Sequence, residues 1–501
     1  MSVVTEGILA IIANPECILW NAFGCLVGLV FGCLPGLSCV MAMVLFLPVT
    51  FGMEPILGIA TMLGVYVGGI SGGMISAILI KIPGTAASMT TVFDGGPMAD
   101  RGEAGKALGI GVLYSFIGGV ISFIFLIFLA QPLSTIALKF SPFEYCSITI
   151  MALTIIASLS GKSMINGLLS GLLGLFLSYI GTSSIAAIPR FVFFGSRKLY
   201  SGLSTITLLI GIFAITEILN SVGEKKKDAQ IAKYHMKGFG ISFKEFREQT
   251  WNMIRSALIG VFVGILPGLG ANTSSMFAYS LAQSRSKYPE KFGTGIIDGV
   301  IASETANNAN TGGAMITMLA LGIPGNTPTA LLIAALTVQG INCGPLVFTK
   351  YGTLVYAIFT AFALANVFML IFERGGIKFF VKLLDLPKWA LYPIIIVLCM
   401  VGAFSDKNRT FECILSVALG LIFYVFKKYG LMVAPCIIGF ILGSLLERNY
   451  GQAMSWSGGS YLPFITRPIS LAFLILTVVM IAYVMKKNLK HEKNILADDE
   501  N

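Results

Sequence analysis

The sequence predicts an all-α polytopic membrane protein with about 10 to 13 transmembrane helices, arranged as an inverted repeat whose helices are broken by Pro-Gly pairs. Three observations predict it. Of 501 residues, 56% are hydrophobic and only 12% charged, against roughly 25% charged in an ordinary soluble domain. Continuous apolar windows near the 20 residues a helix needs to cross hydrocarbon recur along the whole chain. One motif occurs twice, as GLVFGCLPGL at residues 28–37 and GVFVGILPGL at residues 260–269.

The windows fall near residues 17–34, 56–80, 107–130, 144–160, 164–181, 201–219, 252–266, 312–338, 352–372, 389–404, 411–426, 431–446 and 467–485. Continuous runs rather than period-2 alternation fill them, which excludes a β-barrel. Glu6, Glu16 and Glu54 are the only charges before Lys81, so no cleavable signal peptide is expected. Lys225, Lys226, Lys227, Lys233, Lys237, Lys244 and Arg247 crowd one connector, and Lys486, Lys487, Lys490 and Lys493 the tail. The positive-inside rule places both in the cytoplasm and the amino terminus on the opposite, periplasmic side. The net charge of +10 is then a topology signal and calls for no nucleic acid. The division that follows is 1–220 as a first repeat unit with scaffold helices, 221–250 as a basic cytoplasmic connector, 251–485 as a second repeat unit with scaffold helices, and 486–501 as a polar tail. The helices within 107–219 read as scaffold or oligomer-forming elements.

Each copy of the motif is followed by a second break, KIPGTAAS around Pro83 and GIPGNTPT around Pro324; the prolines are 48 residues apart in the first copy and 57 in the second. Because charge places the connector inside, the two copies enter the membrane from opposite faces, as in the inverted repeats of many secondary transporters. Proline removes a backbone donor and glycine opens conformations closed to other residues. At bilayer depth such breaks are tolerated only where protein or a water-filled cavity satisfies the freed groups, so four of them predict a polar cavity near the membrane centre.

The helix after each break presents unpaired N–H groups and the positive end of its dipole, which favour an anion. Ser38 follows Pro35-Gly36; Thr85 and Ser88 follow Pro83-Gly84; Asn272 and Thr273 follow Pro267-Gly268; Asn326 and Thr327 follow Pro324-Gly325. These residues, with Asn307, Asn308 and Asn310 from the polar run ETANNANT, form the candidate carboxylate site. Their oxygens also suit Na⁺, expected near Ser38, Thr85, Asn272 and Asn326, with H⁺ as the other coupling ion. The plainer reading is that they cap the half-helices. No organic or metal cofactor is expected. The two histidines, His235 and His491, lie in basic polar segments, and the nine cysteines read as small apolar side chains. The segment FDGGPMADRGEAGKALG at 93–109 reads as a solvated loop.

The elements GxLPGLS, FGMEP, GGISGGMISAILIKIPGTAAS, DGGPMADRGEAGKALG, GILPGLGA, YPEKFGTG, TANNANTGGAMI and LGIPGN together resemble the large membrane subunit of the tripartite tricarboxylate transporters, the TctA family. The resemblance covers roughly residues 15–450. It implies a bacterial inner-membrane permease importing tricarboxylates or related carboxylates with a cation, together with a small four-helix membrane subunit and a periplasmic solute-binding protein. Elevator-type alternating access fits the same resemblance. Gly96, Ser303 and Pro328 depart from the family pattern and leave the identity of the carboxylate open. A self-sufficient carboxylate carrier or a channel is the alternative. An intramembrane enzyme is a distant one, because Gly69-Ile70-Ser71-Gly72 has no intramembrane histidine to serve as base; the expectation is that the chain is not an enzyme.

Overall fold

A computed structural model describes residues 2–158, 164–183, 185–222, 231–232, 234, 238–384 and 388–482. Lys225, Lys226, Lys227, Lys233, His235 and Lys237 of the connector, and the tail with Lys486, Lys487, Lys490, His491 and Lys493, lie outside the described residues. Apart from one two-residue β-ribbon, Gly181–Thr182 with Pro189–Arg190, the described elements are helices. Five are long and apolar enough to span a bilayer: Pro15–Cys33, Pro55–Leu79, Ala104–Ala137, Gly352–Leu384 and Thr410–Lys428. Seven shorter apolar helices accompany them. The 25-residue helix Ile297–Leu321 is long enough as well, but it carries too many polar side chains to read as apolar.

Packing divides the chain into two units, residues 1–135 with 209–421 and residues 136–208 with 422–501. The second unit is built on the helices Pro142–Ser158, Met164–Ser178 and Val433–Trp456, held by Arg467 Nε on Glu144 Oε1 at 2.5 Å and Arg190 on Glu447 at 2.9 Å. The first unit contains both copies of the motif.

Within the first unit, helix Pro15–Cys33 lies against helix Pro55–Ser71 through glycines. A Cβ built at Gly24, Gly28 or Gly32 would fall 2.3 Å from the Thr61 carbonyl oxygen, 2.3 Å from that of Val65 and 2.5 Å from that of Gly69. The partner numbers rise together, so the two helices run parallel. The second copy repeats this arrangement: helix Phe243–Ile265 meets helix Ile297–Leu321 with Gly260 and Gly264 at 2.5 Å and 2.6 Å from the carbonyls of Ala306 and Asn310. Gly72 faces the Leu29 carbonyl at 2.6 Å, and its counterpart Gly313 faces that of Val261 at 2.3 Å. Small residues on facing ridges let membrane helices approach this closely, which maximises dispersion and carbonyl contacts where no hydrophobic drive exists between helices.

The two copies point in opposite directions. Ile70 accepts from Asn307 Nδ2 at 3.4 Å, while Tyr66, one turn earlier, meets Asn310, one turn later, through Asn326. A second path gives the same sense. Helix Gly352–Leu384 runs parallel to Pro15–Cys33, with Asn21 donating to Ala361, Cys25 to Ala365 and Cys33 to Phe380. It runs antiparallel to Ala104–Ala137, pairing Tyr356 with Gln131 and Phe362 with Phe123. Helix Ala104–Ala137 in turn lies parallel to Ile297–Leu321, with Ser115 on Glu304 and Gly118 on Thr305. The expected inverted relationship is therefore present in the helix directions.

Two expectations are corrected. The segment 93–109 is no solvated loop: helix Met89–Asp100 and helix Ala104–Ala137 occupy all of it except a turn at 101–103. Asp100, Arg101 and Glu103 are exposed, but Asp94 is buried and accepts the backbone N–H groups of Gly293, Gly295 and Ile296 and the Tyr279 hydroxyl. The window at 312–338 is not one span, since helix Ile297–Leu321 ends at left-handed Gly322 and a new helix, Thr327–Val338, begins after Asn326.

Glycine packing predicts that Gly28→Ala and Gly264→Ala each destabilise the chain by about 1–3 kcal/mol, the usual penalty of overpacking. Gly52→Ala, where a Cβ would meet nothing within 4 Å, serves as the neutral control. Melting curves of the detergent-solubilised protein check this; equal melting temperatures for all three would contradict the packing argument.

Helix Phe243–Ile265 opens with a reciprocal Ser242–Glu245 cap, and Lys106 Nζ lies 2.7 Å from Glu245. The Lys106 bond first, then the Ser242 backbone N–H, pull the Glu245 carboxyl down to about 2. A depressed carboxylate stabilises the fold above its unfolded value of 4.5, and the contribution disappears as pH falls from there through about 2. The pair is partly solvated, so Glu245→Gln should lower stability by no more than about 1 kcal/mol at neutral pH. Denaturation of the two proteins should converge by about pH 2; a gap that persists there would overturn the pairing.

Candidate functional site

The four breaks are hooks that match in pairs, the first break of one copy with the first of the other and the second with the second. Leu34 and Leu266 leave their helices with nearly identical extended backbone, ψ 117° and 119°. The following Gly36 and Gly268 take φ of 87° and 82°, values open to glycine and strained for other residues. Pro35 and Leu37 form a local bridge, and Gly268 N–H reaches the Gly325 carbonyl at 2.8 Å. At the second break of each copy the chain folds back onto its own first helix: a Cβ at Gly84 would sit 2.1 Å from the Gly32 carbonyl oxygen, and one at Gly325 2.6 Å from that of Gly264. Backbone bonds inside the protein hold two of the break glycines, Gly84 N–H on the Gly73 carbonyl at 3.4 Å and Gly268 on that of Gly325.

Caps follow the hooks. Ser38 accepts from Met41 N–H at 3.1 Å; Thr85 and Ser88 form a reciprocal box, and Asn326 and Thr329 form its counterpart. Three of the four residues expected near Na⁺ therefore spend a side-chain oxygen on the helix behind them. Asn272 does not, and its half-buried side chain leaves Oδ1 without a partner among the described residues. Thr273 and Thr327 are half-buried.

The hooks of one copy dock on the other. The turn Ala86–Ser88 packs against helix Gly270–Arg285, and helix Thr327–Val338 packs against helix Cys39–Phe46. Between them runs a buried polar chain: Asn326 Nδ2 donates to the Tyr66 hydroxyl at 2.8 Å and to Asn310 Oδ1 at 3.1 Å, and Asn310 Nδ2 donates to Ser274 Oγ at 2.7 Å. Asn307 donates to the Ile70 carbonyl at 3.4 Å and lies beside the Glu304 carboxylate, and its Oδ1 has no partner among the described residues. Asn308 turns back to the Glu304 carbonyl of its own helix at 3.2 Å. Of the polar run, Asn310 alone links directly to a hook.

The sequence singles out the asparagines and Ser274, which stands in the polar stretch ANTSS after Pro267, and passes over Tyr66, Thr91 and Ser115. Glu304 is fully buried; Thr91 donates to one carboxylate oxygen and Ser115 to the other, the latter at 3.0 Å. An acid well inside a helix whose other charge, Asp298, is confined to the first turn is its available signal, since such residues mark functional positions in membranes.

Two cavities lie away from the hooks. A groove of about 790 Å³ is lined by Trp251, Arg255, Phe262 and Phe277. A polar basin of about 350 Å³ is lined by Arg101, Glu103, Lys106, Glu245 and Lys291. No group of three or more metal-binding side chains occurs among the described residues.

Two proteins of Agrobacterium vitis are similar in sequence. One, described as an uncharacterized 52.8 kDa protein in the TAR-I ttuC' 3' region, is 33% identical over 488 residues, 97% of each chain. The other, an uncharacterized protein in the TAR-II ttuC' 3' region, is 33% identical over 242 residues, 48% of this chain and 100% of its own length. No solved structure matches the chain. A family model, described as the tripartite tricarboxylate transporter TctA family, matches residues 18–438 and so takes in both repeats and all four hooks: the chain belongs to that family.

Proposed function

We propose that the chain is the large permease subunit of a binding-protein-dependent secondary transporter that imports a tricarboxylate or related carboxylate with a cation. The observation that carries this reading is the buried chain Tyr66–Asn326–Asn310–Ser274, which joins the two inverted copies at their broken helices. Amide and hydroxyl donors beside helix N-termini recognise carboxylate oxygens without a fixed positive charge. Membership of the family supports the transporter class and the need for partner subunits. A small four-helix membrane subunit and a periplasmic solute-binding protein are the partners proposed, the bacterial inner membrane the location, and no enzymatic step is assigned.

The opposite directions of the two copies and the matching breaks in each favour alternating access, and an elevator-type movement is the form proposed. A cation would offset the substrate's charge at a site built from dipoles; the two candidates are Na⁺ at the oxygens of the hooks and H⁺.

Uptake of radiolabelled citrate and other tricarboxylates into proteoliposomes holding all three components, with and without a Na⁺ gradient, tests the reading. Uptake should require the binding protein and should collapse without the cation gradient. Accumulation by this chain alone would establish the self-sufficient carrier instead. Asn326→Ser keeps a capping oxygen but removes the amide donated to Tyr66 and Asn310, a change of about 1.5–3 kcal/mol when the partner is charged. It should raise the half-saturating carboxylate concentration at least about tenfold; an unchanged value would remove Asn326 from the site.

A further inference from the structure

Glu373 is a second carboxylate buried without any exposure, on the helix Gly352–Leu384. It lies 11 residues from Leu384 and 21 from Gly352, so at a rise of about 1.5 Å per residue it is roughly 16 Å from the nearer end. The inward seam of that helix reads Asn366, Met369, Glu373, Ile377, Phe380, apolar on both sides of the acid. Neither Glu373 oxygen has a hydrogen-bond partner among the described residues. The Ser71 hydroxyl lies beside it without aligning into a bond, and is itself unpartnered. Ser71 follows Ile70, whose carbonyl holds Asn307, so Glu373 stands next to the point where the two copies cross.

The groups facing Glu373 supply no positive charge. Helix Pro15–Cys33 presents the thiols of Cys25 and Cys33, which donate to carbonyls of the Glu373 helix itself. On the Ser71 helix, Tyr66 is held by Asn326. From Ile297–Leu321 comes Glu304, near enough to act on Glu373 electrostatically and already satisfied by Thr91 and Ser115. Helix Ala104–Ala137 has its Tyr114 against Phe246 and its Lys106 paired with Glu245. Arg374 points away, over the Phe239 ring at 5.8 Å. Near the start of the helix, Glu6 of helix Val3–Ile12 meets Thr353, far along the axis from Glu373.

An isolated ionised carboxylate in such surroundings is prohibitively expensive unless a counter-ion neutralises it. A metal cation needs several oxygen ligands, and Ser71 is the single hydroxyl at hand. A proton needs none. We infer that Glu373 is the chain's internal proton site: its carboxylate binds one proton as the carboxylic acid and releases it when the copies shift, making H⁺ the ion that moves with the substrate. The protonation stands on geometry alone; its coupling to transport rests on the reading under Proposed function.

Infrared difference spectra of the full-length chain in liposomes, in H₂O and D₂O and with no carboxylate added, test the site. The wild type should show at neutral pH a carboxylic-acid C=O band that moves to lower frequency in D₂O. The band should be lost in Glu373→Gln and kept in Glu304→Gln. A band unchanged in Glu373→Gln would overturn the inference, as would its disappearance on exchanging choline chloride for NaCl at constant pH, which would make the cation Na⁺. If Glu373→Gln does not fold, Ser71→Ala replaces it, and a band whose frequency does not move on losing the neighbouring hydroxyl counts against the site. With no substrate present, a correct band without carboxylate uptake defeats the transport reading alone, and uptake without the band defeats the proton site alone.

Discussion

Close contact of glycine with backbone carbonyls is the constraint on which the first unit depends. In each copy two parallel helices approach until there is no room for a Cβ at Gly28, Gly32, Gly260 or Gly264. The second break of the copy then folds into the space that remains, with Gly84 and Gly325 against the carbonyls of Gly32 and Gly264. The glycines do more than permit packing. By bringing the helices together they leave the broken backbone packed against protein, the condition under which irregular backbone is tolerated within a bilayer.

The hooks also determine where polarity collects. Each must present a capping residue, and the caps Thr85 and Asn326 occupy equivalent positions with Ser88 and Thr329 three residues on. Asn326 has an amide left over after capping and gives it to Tyr66 and Asn310, so one residue both closes a helix and links the copies. Ser38 accepts from Met41 N–H, so its hydroxyl proton takes no part in the cap.

Much of this was legible in the sequence because the constraint is local. Gly-x-x-x-Gly before Leu-Pro-Gly encodes a tight helix, a stop and a left-handed turn in ten residues, and the structure contains each of them. Partners contributed from afar were not legible. Asp94 looked like loop chemistry because its ligands, Gly293, Gly295 and Ile296, lie some two hundred residues away. Tyr66 carries one polar atom in an unremarkable helix. The ETANNANT run belongs to one continuous helix buried on all sides, where Glu304, Asn307 and Asn310 reach Thr91, Ser115, Ile70, Ser274 and Asn326 on five other stretches of the chain.

The central claim is that the copies cross the membrane in opposite senses. Glu54 precedes helix Pro55–Ser71 and Thr294 precedes helix Ile297–Leu321 at equivalent places in the two copies. Single cysteines placed there, in a chain whose nine native cysteines are replaced, can be labelled in right-side-out and inverted vesicles with a membrane-impermeant maleimide. Glu54→Cys and Thr294→Cys should react from opposite faces. Labelling of both from the same face would contradict the inverted architecture and the site built upon it.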